Sequence, residues 1–210
     1  MLGLMIKDFA LLKVQLRSLV IIFAIAIFML IAGQNTGFVV MYANIVFMMF
    51  GISTLSYDSF DNGYAFLFTL PITRKLYVKE KYVFSLSLLA LGCVLSFIML
   101  FALGSTSDFD LGFLVGYMFG GLLFLSIMLP VNIKFGPEKA RIALIAIMII
   151  ILSSVYMIVD IANKLDMEKY FGELEHIGGP AILIFLGIVV MIMLFLSYKI
   201  SCRVMEKKEF

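Results

Sequence analysis

The chain has 210 residues, 63% of them hydrophobic and only 14% charged, with sixteen Lys and Arg against fourteen Asp and Glu. Soluble proteins carry roughly 25% charged residues, and a soluble fold of this length cannot hide so much apolar surface, so lipid is the expected solvent. The net charge of +2 forms no basic patch suited to nucleic acid, which is excluded as a partner.

In chain order, the stretch 3–17, GLMIKDFALLKVQLR, places Leu4, Phe9, Leu12 and Leu16 roughly along one helix face and Lys7, Asp8, Lys13 and Arg17 on the wetter side. An amphipathic helix over 1–17, lying in the inner interface, is the expectation; a cytoplasmic extension of the first span is the alternative. The exit of that span, Ile31-Ala32-Gly33-Gln34-Asn35, lacks an A-x-A cleavage site, so the span is expected to be retained as a membrane helix.

Six apolar segments follow: 18–33, 38–56, 82–103, 111–131, 142–159 and 181–202. At ~1.5 Å per helical residue each is long enough, with some tilt, for a hydrocarbon core of ~30 Å; the first borrows a turn from 11–16. Fourteen of the sixteen cations fall on one side, in four groups: Lys7, Lys13, Arg17; Arg74, Lys75, Lys79, Lys81; Lys134, Lys139, Arg141; and Lys199, Arg203, Lys207, Lys208. Only Lys164 and Lys169 lie opposite. The positive-inside rule then places both termini in the cytoplasm. The expected fold class is an all-α polytopic membrane protein, one transmembrane domain over 1–210 with six spans.

The outer links 34–37 and 104–110 are short, and the third outer segment, 160–179, alternates acidic residues with Ile161, Leu165, Tyr170, Phe171 and Leu174, so it reads as a short amphipathic helix ended by Gly178-Gly179-Pro180. Span four carries Gly112, Gly116 and Gly120 at four-residue steps, with Gly121 beside them. Such glycines let helix backbones approach closely in lipid, within one subunit or between two copies. Cys93 and Cys202 read as small apolar residues, forming neither a disulfide nor a metal site.

Two cytoplasmic stretches carry the remaining information. In 57–81, YDSFDNGYAFLFTLPITRKLYVKEK, the residues Phe60, Tyr64, Leu67 and Phe68 follow i, i+4, i+7, i+8 and predict a helix with one aromatic face. Pro71 ends it, and Thr73 caps the helix that enters span three. Such an element either docks on a partner, aromatic anchors first, or packs under its own bundle. The second stretch, 130–141, is a compact turn in which Pro137 suits the first position of a new helix and Glu138 its positive end.

These residues resemble a known family. The Tyr-Asp…Leu-Pro-Ile-Thr-Arg-Lys…Lys-Tyr stretch from Tyr57 to Tyr82, and the Pro-Val-Asn-Ile-Lys-Phe-Gly-Pro-Glu-Lys-Ala-Arg stretch from Pro130 to Arg141, look like those of ABC-2 type transporter permeases. The resemblance covers essentially the whole chain and is nearest the small bacterial permeases of phenol-soluble-modulin exporters, with a type V exporter-like architecture. It implies a coupling helix that contacts a cytoplasmic ABC ATPase through Asp58, Phe60, Asp61, Tyr64 and Phe68, with Arg74 and Lys75. It also implies a second cytoplasmic contact at Lys134, Phe135, Glu138 and Arg141, and an extracellular helix in 160–179. By the same likeness the partners are that ATPase, a second permease copy or a paralogue, the lipid bilayer of a bacterial plasma membrane, and an amphipathic peptide cargo such as a toxin or antimicrobial peptide.

No G-x-x-x-x-G-K-[ST] phosphate loop occurs, so the chain is expected to bind no cofactor, ATP and Mg²⁺ belonging to the partner subunit. No span carries an ionisable residue at its middle, which speaks against an ion-coupled carrier. Asn44, Ser96 and the Ser153-Ser154 pair are the main polar groups within spans, and helix–helix hydrogen bonding is their expected use. An intramembrane hydrolase lacks its motifs here. The remaining alternatives are a non-transporting sensor or scaffold, and an exporter of lipid or a hydrophobic drug.

Overall fold

The computed structural model describes residues 2–31, 36–60, 63–102, 111–164 and 179–208. Among these residues the regular elements are seven helices and no strand: α1 (Leu2–Val14), α2 (Leu16–Ile31), α3 (Thr36–Ser59), α4 (Gly63–Leu67), α5 (Arg74–Ala102), α6 (Leu111–Lys164) and α7 (Gly179–Lys207). Three described helices are long and apolar enough to cross a membrane, over Arg74–Ile98, Met118–Ala146 and Leu183–Lys207, and Val20–Met29 is a shorter apolar run. The links 34–35 and 104–110, and 165–178 of the outer segment, lie outside the described residues; 160–164 continue α6.

The exterior is apolar and the interior partly polar, the reverse of a soluble protein. Along α7, Ile184, Phe185, Met191 and Phe195 face outward, while the bundle-facing stripe is Val190, Ser197, Ser201 and Met205. Spacings of seven, four and four put that stripe on one face. The buried core lies towards the ends that carry the cations: Tyr77, Val78, Phe84, Leu125, Leu129, Ile133 and Met205 are fully enclosed. Helix α6 packs mainly on α7 and α3, and α3 on α5.

Two prolines explain how α7 is held. Pro130 has no N–H, so the carbonyl of Ser126, four residues back, loses its helical donor. Ser197 Oγ of α7 donates to that carbonyl at 2.5 Å. Tyr82 Oη of α5 lies 2.6 Å from Ser197 Oγ and 2.8 Å from Ser201 Oγ. Since the Ser197 hydrogen is spent on Ser126, Tyr82 donates to Ser197 and accepts from Ser201. Pro137 orphans the carbonyl of Ile133 in the same way, and Lys208 Nζ donates to it at 2.9 Å. Replacing Ser197 by Ala leaves a buried carbonyl unpaired, and we expect a loss of about 1–2 kcal/mol in thermal unfolding in detergent. An unchanged melting curve would show that the carbonyl finds another donor.

Between α3 and α5, Asn44 Nδ2 donates to Ser96 Oγ at 3.4 Å, and Cys93 Sγ lies 3.2 Å from Asn44 Oδ1. This is the helix–helix role expected of Asn44 and Ser96. Ser153 is exposed and Ser154 lies outside the described side chains.

The turn expected in 130–141 falls at Gly136 (φ 78°, ψ 172°), a kink that divides α6 into two helical arms, 111–135 and 137–164. Pro137 opens the second arm. One expectation needs correction. In α1, Asp8 lies fully buried, not on a wet face, with Leu4 buried one turn before it, while Ile6 and Val14 point outward. A turn at Gln15, whose N–H donates to Leu12 O at 3.0 Å, separates α1 from α2. Of the two uses open to the glycines of the first arm, a Cβ on Gly116 or Gly120 would meet nothing within 4 Å of the same chain, whereas one on Gly121 would lie 2.6 Å from Leu89 and 3.0 Å from Met48. Close helix packing within the chain therefore falls at Gly121. The surroundings of Gly112 lie outside the described side chains.

Candidate functional site

The end of α3, the single turn α4 and the start of α5 form one compact corner. Helix α3 stops at Ser59, whose Oγ turns back to Ser56 O at 2.7 Å. Gly63 begins α4 where a Cβ would lie 2.7 Å from the Asp58 carbonyl oxygen, so only glycine fits without moving backbone. After α4, Ile72 N–H donates to Leu70 O at 2.6 Å around Pro71. Thr73 Oγ1 accepts from the Leu76 N–H at 3.3 Å, the cap expected of it.

The aromatic residues split by this geometry. Tyr64 and Leu67 are buried, and Phe68 is half-buried. Tyr77 receives the rings of Tyr64 and Phe68 edge-on, each at 5.9 Å between centroids. Phe60 and Phe66 are instead 55% and 74% exposed. The aromatic face predicted over 60–68 is thus divided, with Phe60 following the end of α3 at Ser59 and Tyr64, Phe66 and Leu67 lying in α4. Asp61 lies outside the described residues.

Beneath this corner sits a cluster of buried charges. Lys81 Nζ, fully enclosed, makes ion pairs with Asp8 Oδ2 at 2.5 Å and Asp58 Oδ2 at 2.8 Å, and donates to Thr54 Oγ1 at 3.3 Å. Tyr77 Oη donates to Asp58 Oδ2 at 3.0 Å. Lys7 Nζ pairs with Asp58 Oδ1 and lies 3.3 Å from Asp8 Oδ1. Two lysines and two aspartates balance, which is how charge is tolerated away from water. Glu80 is buried beside them, and neither of its oxygens has a hydrogen-bond donor among the described residues. The cluster joins α1, α3 and α5 around one cation. Asp58 therefore points into the protein and anchors the corner from below.

Arg74 and Lys75 turn towards the end of α7. Arg74 Nη1 donates to the carbonyls of Glu206 at 2.6 Å and Met205 at 3.2 Å, where helix-end carbonyls lack partners. Its guanidinium also lies 5.8 Å from the Phe68 ring centroid. Lys75 meets Glu206 at 3.2 Å, but both side chains are largely exposed and the pair contributes little. Lys208 Nζ, 4.8 Å from the Tyr64 centroid, completes the bracket. Burial, with a contribution from the Asp58 carboxylate, pushes the Tyr64 phenol up to about 12. Burial lowers the Lys208 ammonium below its ordinary value.

At the kink in α6, Lys134, Phe135, Glu138 and Arg141 are all exposed, and Lys134 Nζ lies 4.8 Å above the Phe135 ring. Among the described residues no group of three His, Cys, Asp or Glu side chains could hold a metal ion. The arrangement is a corner with exposed aromatic residues, joined to α3, α5 and α7 by buried ion pairs and by hydrogen bonds.

Lys7, Asp8, Thr54, Tyr77 and Lys81 are the site residues that sequence reasoning missed. Their only signal was an aspartate inside the apolar run of α1, four residues after Leu4.

No curated protein and no solved structure gives a significant match to the chain. The model of the family described as ABC-2 family transporter protein matches residues 3–206, nearly the whole length. With an all-helical bundle, outward apolar faces and an anchored polar corner, the chain belongs to the ABC-2 family of transporter membrane proteins.

Proposed function

We propose that the chain is the permease subunit of an ATP-driven exporter in a bacterial plasma membrane. Two copies, or one copy and a paralogue, span the bilayer with six helices each and both termini in the cytoplasm. A separate cytoplasmic ABC ATPase supplies nucleotide binding and hydrolysis. The cargo class is an amphipathic peptide, for which a chain with twenty-one Phe and fifteen Met offers a soft, apolar path. The likeness to peptide-exporting permeases supports that choice over lipid or drug.

One observation supports the coupling role most: Phe60 and Phe66 are exposed on a corner that Asp58, Tyr64, Tyr77 and Lys81 anchor from within. Exposed aromatic side chains on a rigid support suit docking into a partner's pocket. Lys134, Phe135 and Glu138 offer a second contact on the same side of the proposed topology. Movement of the ATPase would then pass through Asp58–Lys81 to α1 and α5, and through Arg74 to α7. Transport follows if the nucleotide states favour different arrangements of these helices. Gly116 and Gly120, open within the chain, are proposed to approach the second copy.

The test is the Phe60→Ala/Phe66→Ala variant, co-expressed with the ATPase subunit that co-purifies with the chain. Both side chains are exposed, so the melting temperature should hold. Cargo-stimulated ATP hydrolysis and peptide export should fall at least about tenfold, since aromatic anchors contribute 2 kcal/mol or more. Normal export by the variant would remove this corner as the coupling element.

A further inference from the structure

A cavity of about 330 Å³ opens between α2, α3 and both arms of α6. Its wall is apolar at Ile22, Val46 and Met49, and polar at Gln15, Ser53 and Arg141. We propose that this cavity holds an acidic phospholipid, its phosphate on Arg141 and one acyl chain beside Ile22 and Val46.

Charge comes first. Arg141 is exposed at the cavity and takes part in none of the ion pairs among the described residues. It differs in this from Lys7, Lys75 and Lys81, which have carboxylate partners. A guanidinium presents a fork of donors matched to phosphate oxygens. The wall beside it is polar: Ser53 Oγ donates to Phe50 O at 2.8 Å and lies 3.2 Å from Gln15 Oε1. Pro137 and Ala140 also line the cavity, so the second arm of α6 presents its first turn there, the end of a helix that favours an anion. Glu138, in the same turn, is exposed and does not line the cavity.

The cavity admits a headgroup phosphate and part of one extended chain, the remainder lying in the bilayer. Basic pockets between membrane helices on the cytoplasmic side are suited to anionic headgroups. The leaflet assignment rests on the topology proposed above; the binding chemistry does not.

The test uses the full chain reconstituted in vesicles of equal parts phosphatidylglycerol and phosphatidylcholine, then extracted in mild detergent. Retained lipid is counted by native mass spectrometry. We expect one phosphatidylglycerol per chain in the natural protein and in Arg141→Lys. Retention should fall at least about tenfold in Arg141→Gln, through loss of charge-assisted hydrogen bonds. Arg203→Gln, an exposed cation outside the cavity, should retain the lipid. Equal retention in Arg141→Gln, or no preference for phosphatidylglycerol, overturns the proposal. So does displacement by soluble glycerol phosphate, which would make the site one for free anions, or one-for-one displacement by a helical amphipathic peptide, which would give the cavity to cargo. Cysteine labelling of Lys139→Cys from outside intact cells tests the topology separately: labelling there with lipid still retained would fail the orientation alone.

Discussion

Replacing Lys81 by Ala is expected to cost about 3–5 kcal/mol, the range for removing one partner of a buried ion pair. Lys81 is fully enclosed and serves two carboxylates, Asp8 and Asp58, together with Thr54 Oγ1. Without it, Lys7 alone faces both aspartates, and the cluster keeps an uncompensated negative charge away from water. In a chain of this size the loss corresponds to a fall in melting temperature of roughly 10 °C or more. Lys139→Ala, an exposed cation on the same side, should stay within about 0.5 kcal/mol of the natural protein. The decisive comparison is Asp8→Asn/Lys81→Met. That pair of changes removes one charge of each sign and leaves Lys7 on Asp58, so it should recover a large part of the single-variant loss. If the double variant is as unstable as the sum of its parts, the cluster is not held by charge balance.

The same substitution has a functional consequence. Lys81 ties α1 to the end of α3 and to α5, so its loss should leave Asp58 held only by Lys7 and Tyr77 and loosen the corner that presents Phe60 and Phe66. Cargo-stimulated ATP hydrolysis should therefore fall even at temperatures where the variant is folded. A Lys81→Ala protein that is destabilised but fully coupled would make the cluster structural only.

What could be read in advance divides along physical lines. Apolar runs announce helices because lipid demands apolar side chains on every outward face, and the 181–202 run falls within α7 and most of the 82–103 run within α5. Local backbone chemistry was legible too: Thr73 caps the next helix and Pro137 opens the second arm of α6, whereas α4 already ends at Leu67, before Pro71 can act on it. Asn44 and Ser96 met as expected of polar groups with no water to turn to. Helix rotation was not legible. Gly116 and Gly120 formed a clear stripe, yet Gly121 is the one that packs, because α3 and α5 approach from that side. The buried cluster was least legible, since Asp8 and Lys81 are 73 residues apart and each alone resembles an interfacial charge. A charge pattern read by membrane side says where cations gather and not which of them is buried.

Gly136→Ala is the second substitution with a large expected effect, and it acts through the backbone alone. A Cβ at Gly136 would meet nothing within 4 Å, so packing has no part in it. At a compatible site Gly→Ala stabilises by about 0.4–1 kcal/mol through the unfolded chain. Here φ is 78° and ψ is 172°, a region populated essentially by glycine, where another residue costs of order 1–3 kcal/mol. The following Pro137 tightens the constraint, since a residue before proline is driven to φ near −120°. Alanine must therefore either carry that strain or swing to negative φ and redirect the second arm. The first outcome lowers the melting temperature by roughly 5 °C. The second moves Pro137, Ala140 and Arg141 relative to Met128 and Asn132, which face them across the same cavity. Spin labels on the exposed positions Lys134 and Ile145, with Cys93 and Cys202 replaced by Ala, separate the two. An unchanged distance with a lower melting temperature indicates stored strain, and a shifted or broadened distance indicates a swung arm. In the second case Arg141 leaves the cavity, and phosphatidylglycerol retention should fall as it does in Arg141→Gln. A variant with the natural distance and a higher melting temperature would mean that the kink is set by the surrounding helices and not by Gly136.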